Sequence, residues 1–204
     1  MEIINGKQSH EKENQFIILE DSEFYQYKIM TSPVGPLTLL ANSRALLRVD
    51  WGTDIPKLPP QQGFVANAEN SEILSQTQAQ LSEYFSGVRT HFEIPLAPLG
   101  TDFQMRTWKQ LLTIPYGHLA TYGEQASRMG CPKSSRAVGA ANGKNPIGII
   151  IPCHRVIGAS GHLTGFAGGL KIKQYLLDLE RIPKNAASIN YDPQVKSPMT
   201  NLPH

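Results

Sequence analysis

Cys153 stands between Pro152 and the pair His154-Arg155, directly behind the apolar run 147–151, and it is one of only two cysteines in the chain. An imidazole and a guanidinium beside a thiol are what nucleophilic chemistry needs. The thiolate is the reactive form, and neighbouring positive charge lowers a cysteine pKa from about 8.5. The plain alternative is a small core residue, which is what many buried cysteines are. A third charged group that could serve the same chemistry is Glu180, at the end of the last apolar-periodic segment. A carboxylate near a helix C-terminus is disfavoured by the helix dipole. That placement favours a specific partner for Glu180 over a solvated helix end.

The elements that must position these residues can be read from pattern. Residues 28–51 alternate as β structure around the turn Pro33-Val34-Gly35-Pro36, with Leu37, Leu39 and Ala41 and then Leu47, Val49 and Trp51 on one side. Residues 52–68 read as a loop, and 71–86 as an amphipathic helix through Leu74, Thr77, Leu81 and Phe85, stopped by Gly87. Residues 91–96 read as one more short strand. Thr101 with Gln104 forms a capping box for a helix whose inner face is Met105, Trp108, Leu111 and Leu112. Thr121 caps a helix to Met129, Gly130-Cys131-Pro132 breaks the chain, and Ser134 or Ser135 starts a second short helix through Asn142. Two short helices about such a turn have the form of a helix-turn-helix. The last helix places Leu170, Ile172, Tyr175, Leu176 and Leu179 inward and ends at Pro183.

Charge is divided along the chain. Residues 1–100 carry 7 Lys/Arg against 12 Asp/Glu, and residues 101–182 carry 10 against 4. The second stretch is where a polyanion would bind. Its helix Ser135–Asn142 has one arginine, Arg136, and otherwise mostly small residues, which suits close approach to a narrow groove better than base reading from the major groove. The chain has no apolar run of the length that spans a membrane, no secretory leader pattern, no metal-ligand spacing and no Gly-rich phosphate loop. Two cysteines give no disulfide framework, and an unpaired thiol suits a reducing compartment.

The stretch from Phe103 to Glu180 resembles the catalytic domain of the O6-alkylguanine-DNA alkyltransferases (methylated-DNA–protein-cysteine methyltransferases). The likeness is carried by Trp108-Lys109, 114–117 (IPYG), Thr121-Tyr122-Gly123, 135–139 (SRAVG), 143–146 (GKNP), 151–156 (IPCHRV), 168–171 (GGLK) and 176–180 (LLDLE). Residues 31–37 (TSPVGPL) resemble, more weakly, the ribonuclease-H-like domain that precedes it in the family. The resemblance implies an α+β protein. A flexible arm (1–24) would lead into an N-terminal ribonuclease-H-like β-sheet domain with a helix (25–97). A mostly helical, winged-helix-like domain containing a helix-turn-helix would follow (98–182), then a flexible tail (183–204).

It also implies a single-turnover DNA repair reaction. The alkyl group of O6-alkylguanine, flipped out of the duplex, passes to Cys153, which stays alkylated. Glu180 would orient His154, and His154 would deprotonate Cys153 through a water. A direct Cys153–His154 dyad is disfavoured because neighbouring side chains of an extended segment diverge. Arg136 would fill the vacated stack, with Ser135 beside it on the DNA, and Tyr122 would donate toward guanine N3. The carbonyls of Cys153 and Val156 would meet the exocyclic amine and the Ala167 N–H would meet O6. Asn145 would hold the active-site turn. Phe166 replaces the tyrosine of most members and keeps the aromatic wall, and Gly148 suggests a roomier pocket approach. The partner would be double-stranded DNA carrying O6-alkylguanine, with O4-alkylthymine as a second candidate lesion. The protein would be a monomer without cofactor or metal, off the membrane, in the cytoplasm (and on the nucleoid in a bacterium). Two other readings stay open: a non-catalytic alkyl-lesion-binding protein, and a helix-turn-helix transcription regulator.

Overall fold

The computed structural model describes residues 16–17, 24–55, 64–65 and 71–181. The expectations for the arm and the tail fall almost wholly outside them. The exceptions are Phe16, which packs into the main core, Ile17, whose N–H donates to the Leu96 carbonyl at 2.8 Å, and Phe24, which is exposed.

Three strands carry the N-terminal half: β1 (Tyr25–Met30), β2 (Leu37–Ala41) and β3 (Leu46–Trp51), with β4 (Phe64–Val65) as a short fourth. The sheet order is β3-β2-β1-β4, antiparallel except for the β1–β4 pair. The segment 52–68 therefore includes a strand and is not all loop. β2 is buried at all five positions because both faces are covered. Leu37, Leu39 and Ala41 join the main core, and Leu40 joins a smaller cluster with Tyr25, Ala45, Leu47 and Ala97. Helix α1 (Glu72–Phe85) lies on the main-core side, capped by the Ser71 hydroxyl. Residues 91–96 make no strand. Among the described residues their one ladder contact is an isolated bridge from Leu96 to Leu46, too little pairing to extend the sheet.

The C-terminal half is built from α2 (Asp102–Leu111), α3 (Tyr122–Arg128), α4 (Ser135–Asn142) and α5 (Leu170–Leu179), with a two-residue parallel pair, β5 (Ala120–Thr121) and β6 (Val156–Ile157). Capping boxes start α2 (Thr101/Gln104) and α3 (Thr121/Glu124). The start of α4 lacks a side-chain cap; a single 3-10 turn, Pro132–Ser134, delivers the chain instead. Buried polar groups zip these helices together. Trp108 Nε1 donates to the Ala141 carbonyl at 2.9 Å, and Asn142 Nδ2 donates to Gln125 Oε1 at 2.7 Å. On α4, Val138 and Ala141 face inward while Arg136, Ala137 and Ala140 are exposed. The small residues thus form an outer face rather than a buried seam.

The register of α5 differs from the expected one. Lys173, Leu176 and Leu177 are buried, whereas Leu170 and Tyr175 are exposed. An inward lysine is tolerable because its ammonium finds two carbonyl partners, described below. Among the described residues no helix is long and apolar enough to cross a membrane.

Candidate active site

The approach to Cys153 is a chain of tight turns. Ile150 N donates to the Gly148 carbonyl at 2.8 Å, with the intervening Ile149 at φ 71°. This is a three-residue turn of the rare strained kind, in a conformation that costs a β-branched residue about 1–3 kcal/mol. Ile149 is fully buried, so packing holds it there. A second three-residue turn follows about Pro152 (φ −84°, ψ 63°), with Cys153 N donating to the Ile151 carbonyl at 2.9 Å. Cys153–Arg155 is then a single 3-10 turn and not an extended segment.

Asn145 binds this arrangement together. Its Nδ2 donates to the Ile151 carbonyl at 2.7 Å and to Cys153 Sγ at 3.2 Å, and its Oδ1 accepts from Ile147 N at 3.1 Å. Cys153 is 9% exposed. Burial pushes its thiol pKa up, opposed by the Asn145 hydrogen bond and the Lys173 charge. The resting group is therefore a thiol awaiting a base, not a thiolate made by a flanking cation. Arg155, expected to supply that cation, is turned away. Its Nε and Nη2 donate to Glu180 at 2.9 and 3.0 Å, and Nη1 donates to the Ile114 carbonyl at 2.6 Å.

Glu180 caps the C-terminal end of α5 and is 1% exposed. Besides Arg155 it accepts from His154 Nε2 at 2.8 Å, Tyr84 Oη at 2.8 Å and Gly117 N at 3.1 Å. Burial alone would raise its pKa. The neighbouring His154 and Arg155 charges and hydrogen bonds outweigh this and hold it well below the usual carboxylate range. His154 is fully buried, and its pKa is lowered by that burial against the pull of Glu180. An ionised carboxylate can only accept, so His154 carries its proton on Nε2. Nδ1 is then the basic atom, and among the described residues it has no hydrogen-bond partner.

Two participants escaped the sequence reading. Lys173 Nζ donates to the Val156 carbonyl at 2.6 Å and the Thr164 carbonyl at 3.0 Å, and burial lowers its pKa to about 8. Tyr84, from the N-terminal half, reaches Glu180 across the two halves of the chain. Lysine at an i, i+3, i+4 spacing with Leu176 and Leu177 was the available signal for the first. The second had none.

Toward solvent, a groove of about 680 Å³ is lined by Tyr122, Ser135, Arg136, Gly139, Phe166 and Ala167, among others. Five of the ten residues singled out by sequence meet there. Val156 lies behind, buried in β6. Tyr122 is close enough to Cys153 for a thiolate charge to bear on its phenol, whose pKa is raised chiefly by burial. A methyl group on Gly139 of α4 would touch the Tyr122 ring at 3.5 Å, so the helix rests directly on that ring. The roomier approach expected at Gly148 is not open on every side: a methyl group there would lie 3.1 Å from Cζ2 of Trp51.

Comparison with known proteins gives the same chemistry a family. Residues 102–182 match the family model of the 6-O-methylguanine DNA methyltransferase DNA binding domain, and residues 25–98 match that of the 6-O-methylguanine DNA methyltransferase ribonuclease-like domain. A methylated-DNA–protein-cysteine methyltransferase of Methanosarcina acetivorans is 48% identical over 154 residues, covering 76% of this chain and 97% of the relative. One from Mycobacterium tuberculosis is 48% identical over 160 residues (76% and 92%). The crystal structure of the M. tuberculosis O6-methylguanine methyltransferase superposes with a TM-score of 0.67 at 46% identity (77% and 93%), and that of the M. tuberculosis OGT in complex with DNA with 0.67 at 44% (80% and 98%). With both family models matched in order across most of its length, the chain belongs to the 6-O-methylguanine DNA methyltransferase family.

Proposed function

We propose that this protein repairs DNA by moving an alkyl group from guanine O6 in a duplex onto its own Cys153, once per molecule. What supports the reading is a set of neighbouring contacts: Asn145 donates to the Cys153 thiol, the next residue in the chain, His154, is fully buried and paired with Glu180, and Tyr122, whose phenol feels a charge on Cys153, lines a groove with Arg136 and Phe166.

In this reaction the Cys153 proton passes to His154 Nδ1 through a water, while Glu180 holds the imidazole by Nε2. The Sγ–carbon bond forms as the carbon–O6 bond breaks, and the bonding electrons go to the base. Tyr122 donates toward N3 as charge develops there. The proton held by His154 restores the balance: a thiol and an alkylguanine become a thioether and a guanine. Nothing in the reaction returns the thiol.

Around this chemistry, Arg136 and Ser135 present the start of α4 to the duplex, and the exposed small face of Ala137 and Ala140 lets the helix approach the narrow minor groove. The Val156 and Cys153 carbonyls and the Ala167 N–H select the base. Residues 25–97 act as the supporting domain and 98–182 as the DNA-binding and transfer domain of a cytoplasmic monomer.

The test is mass spectrometry after incubation with an O6-methylguanine duplex. One methyl group on the Cys153 peptide, and none on a Cys153→Ser variant that still binds the duplex, is the expected result. Binding with no mass gain in the native protein would refute transfer and favour a lesion-binding role.

A further inference from the structure

Trp51 belongs to the N-terminal sheet, at the end of β3, yet its indole packs against Phe166, which lines the groove. Its ring centroid lies 5.4 Å from that of Phe166 at an interplanar angle of 59°. A methyl group on Gly168 would lie 2.8 Å from Trp51 Cε2 and 2.9 Å from Cδ2, so the Gly168 backbone is pressed against the face of the indole. The far edge of the same ring meets Gly148. One side chain therefore touches both the loop that carries Phe166 and Ala167 and the segment that leads into the Cys153 turn. Its base is fixed as well. Two residues earlier, Val49 N donates to the Pro146 carbonyl at 2.9 Å and Val49 bridges Ile147.

From this geometry we infer that Trp51 is a positioning residue of the alkyl-transfer site, and that by backing Phe166 and filling the space beside Gly148 it sets the size of alkyl group the site takes. The inference rests on the transfer reaction proposed above and adds a determinant from outside the catalytic half. With Gly168 and Phe166 packed against it and Gly148 at its edge, the indole cannot shift without displacing the loop, because packed interiors transmit displacement. Removing the indole frees Phe166 to tilt back and opens the side where Gly148 contributes no side chain. A bulky alkyl group then loses less than a methyl group does from the looser placement of the base.

The test is a two-substrate, two-site kinetic cycle on the full chain, with O6-methylguanine and O6-benzylguanine oligonucleotides. Trp51→Ala, and Trp51→Phe as the milder variant should the first not fold, are expected to slow methyl transfer about tenfold. Both should raise the benzyl-to-methyl rate ratio by a factor of about three or more. DNA affinity, set by α4, stays at the native level. Gly168→Ala drives a methyl group into the indole and is expected to slow transfer; adding Trp51→Ala gives that methyl its space, so the double variant is faster than Gly168→Ala alone. Unchanged rates and ratio in the Trp51 variants, or a double variant as slow as the product of its singles, would overturn the inference while leaving the transfer reaction intact. A native protein that methylates no Cys153 would overturn both.

Discussion

Glu180→Gln is the sharpest test of how the base is held. Five donors converge on the two carboxylate oxygens: His154 Nε2, Tyr84 Oη and Arg155 Nη2 on Oε1, and Arg155 Nε and Gly117 N on Oε2. A glutamine keeps the shape but replaces one acceptor by an NH₂ donor. Whichever oxygen it replaces, at least two donors then face a donor, and the Arg155 cation loses its buried counter-charge. Breaking one side of a buried ion pair costs about 3–5 kcal/mol. At about 2–4 °C per kcal/mol for a chain of this size, the Tm falls by about 6–20 °C. His154 also loses the acceptor that fixes its proton on Nε2. Transfer to Cys153 should slow by about 10²-fold or more, the usual worth of a positioned general base. The assay is single-turnover methyl transfer at a temperature where the variant is folded, beside thermal melts.

The pH profile adds a second reading. The folded-state pKa of Glu180 is depressed, so its stabilisation is complete above the unfolded carboxylate value of about 4.3 and is lost as pH falls below that toward the folded value. The variant should lose stability less steeply over that acid range. A folded Glu180→Gln protein that transfers at the native rate would refute the relay through His154 Nδ1. A large loss of stability with no loss of rate would reduce Glu180 to a structural ion pair.

Two more outcomes are expected. Asn145→Ala leaves the Ile151 carbonyl and Ile147 N–H unpaired and removes a hydrogen bond to Sγ; it should cost about 1–3 kcal/mol by denaturant titration and slow iodoacetamide alkylation of Cys153, and unchanged thiol reactivity would count against Asn145 as a thiolate partner. Lys173→Met removes a cation that favours the Cys153 thiolate, so iodoacetamide should react more slowly with the variant near pH 7. The gap should close above about pH 8, where Lys173 of the native protein itself loses its proton. A variant that reacts as fast as the native protein at pH 7 would refute that electrostatic role.

Much of the fold was readable because its signals are local. Capping boxes at Thr101 and Thr121, the break at Gly130-Cys131-Pro132 and the alternation in β2 and β3 each depend on neighbours within a few residues. The expected strand at 91–96 failed because strand formation needs a partner along its length, and among the described residues only Leu96 finds one. The inward face of α5 was misjudged because hydrophobicity alone ranks Leu170 and Tyr175 above Lys173. The lysine wins the interior through carbonyls of Val156 and Thr164, from chain segments outside the helix.

At the site, residue types nominated Cys153 with its neighbour His154, and the resemblance carried by motifs in order along the chain nominated Glu180, Asn145, Tyr122 and Arg136. Tertiary structure alone decided the protonation and partners of those groups. Arg155 neutralises Glu180 rather than activating the thiol, Tyr84 completes the carboxylate cage from the other half of the chain, burial pushes the Cys153 thiol pKa up, and Trp51 packs against Gly148 and Gly168. The reason is physical. Charge state and cavity shape depend on which atoms, 25 to 117 positions apart in sequence, come within a few ångströms (Arg155 and Glu180 at one extreme, Trp51 and Gly168 at the other), and no local pattern encodes that distance.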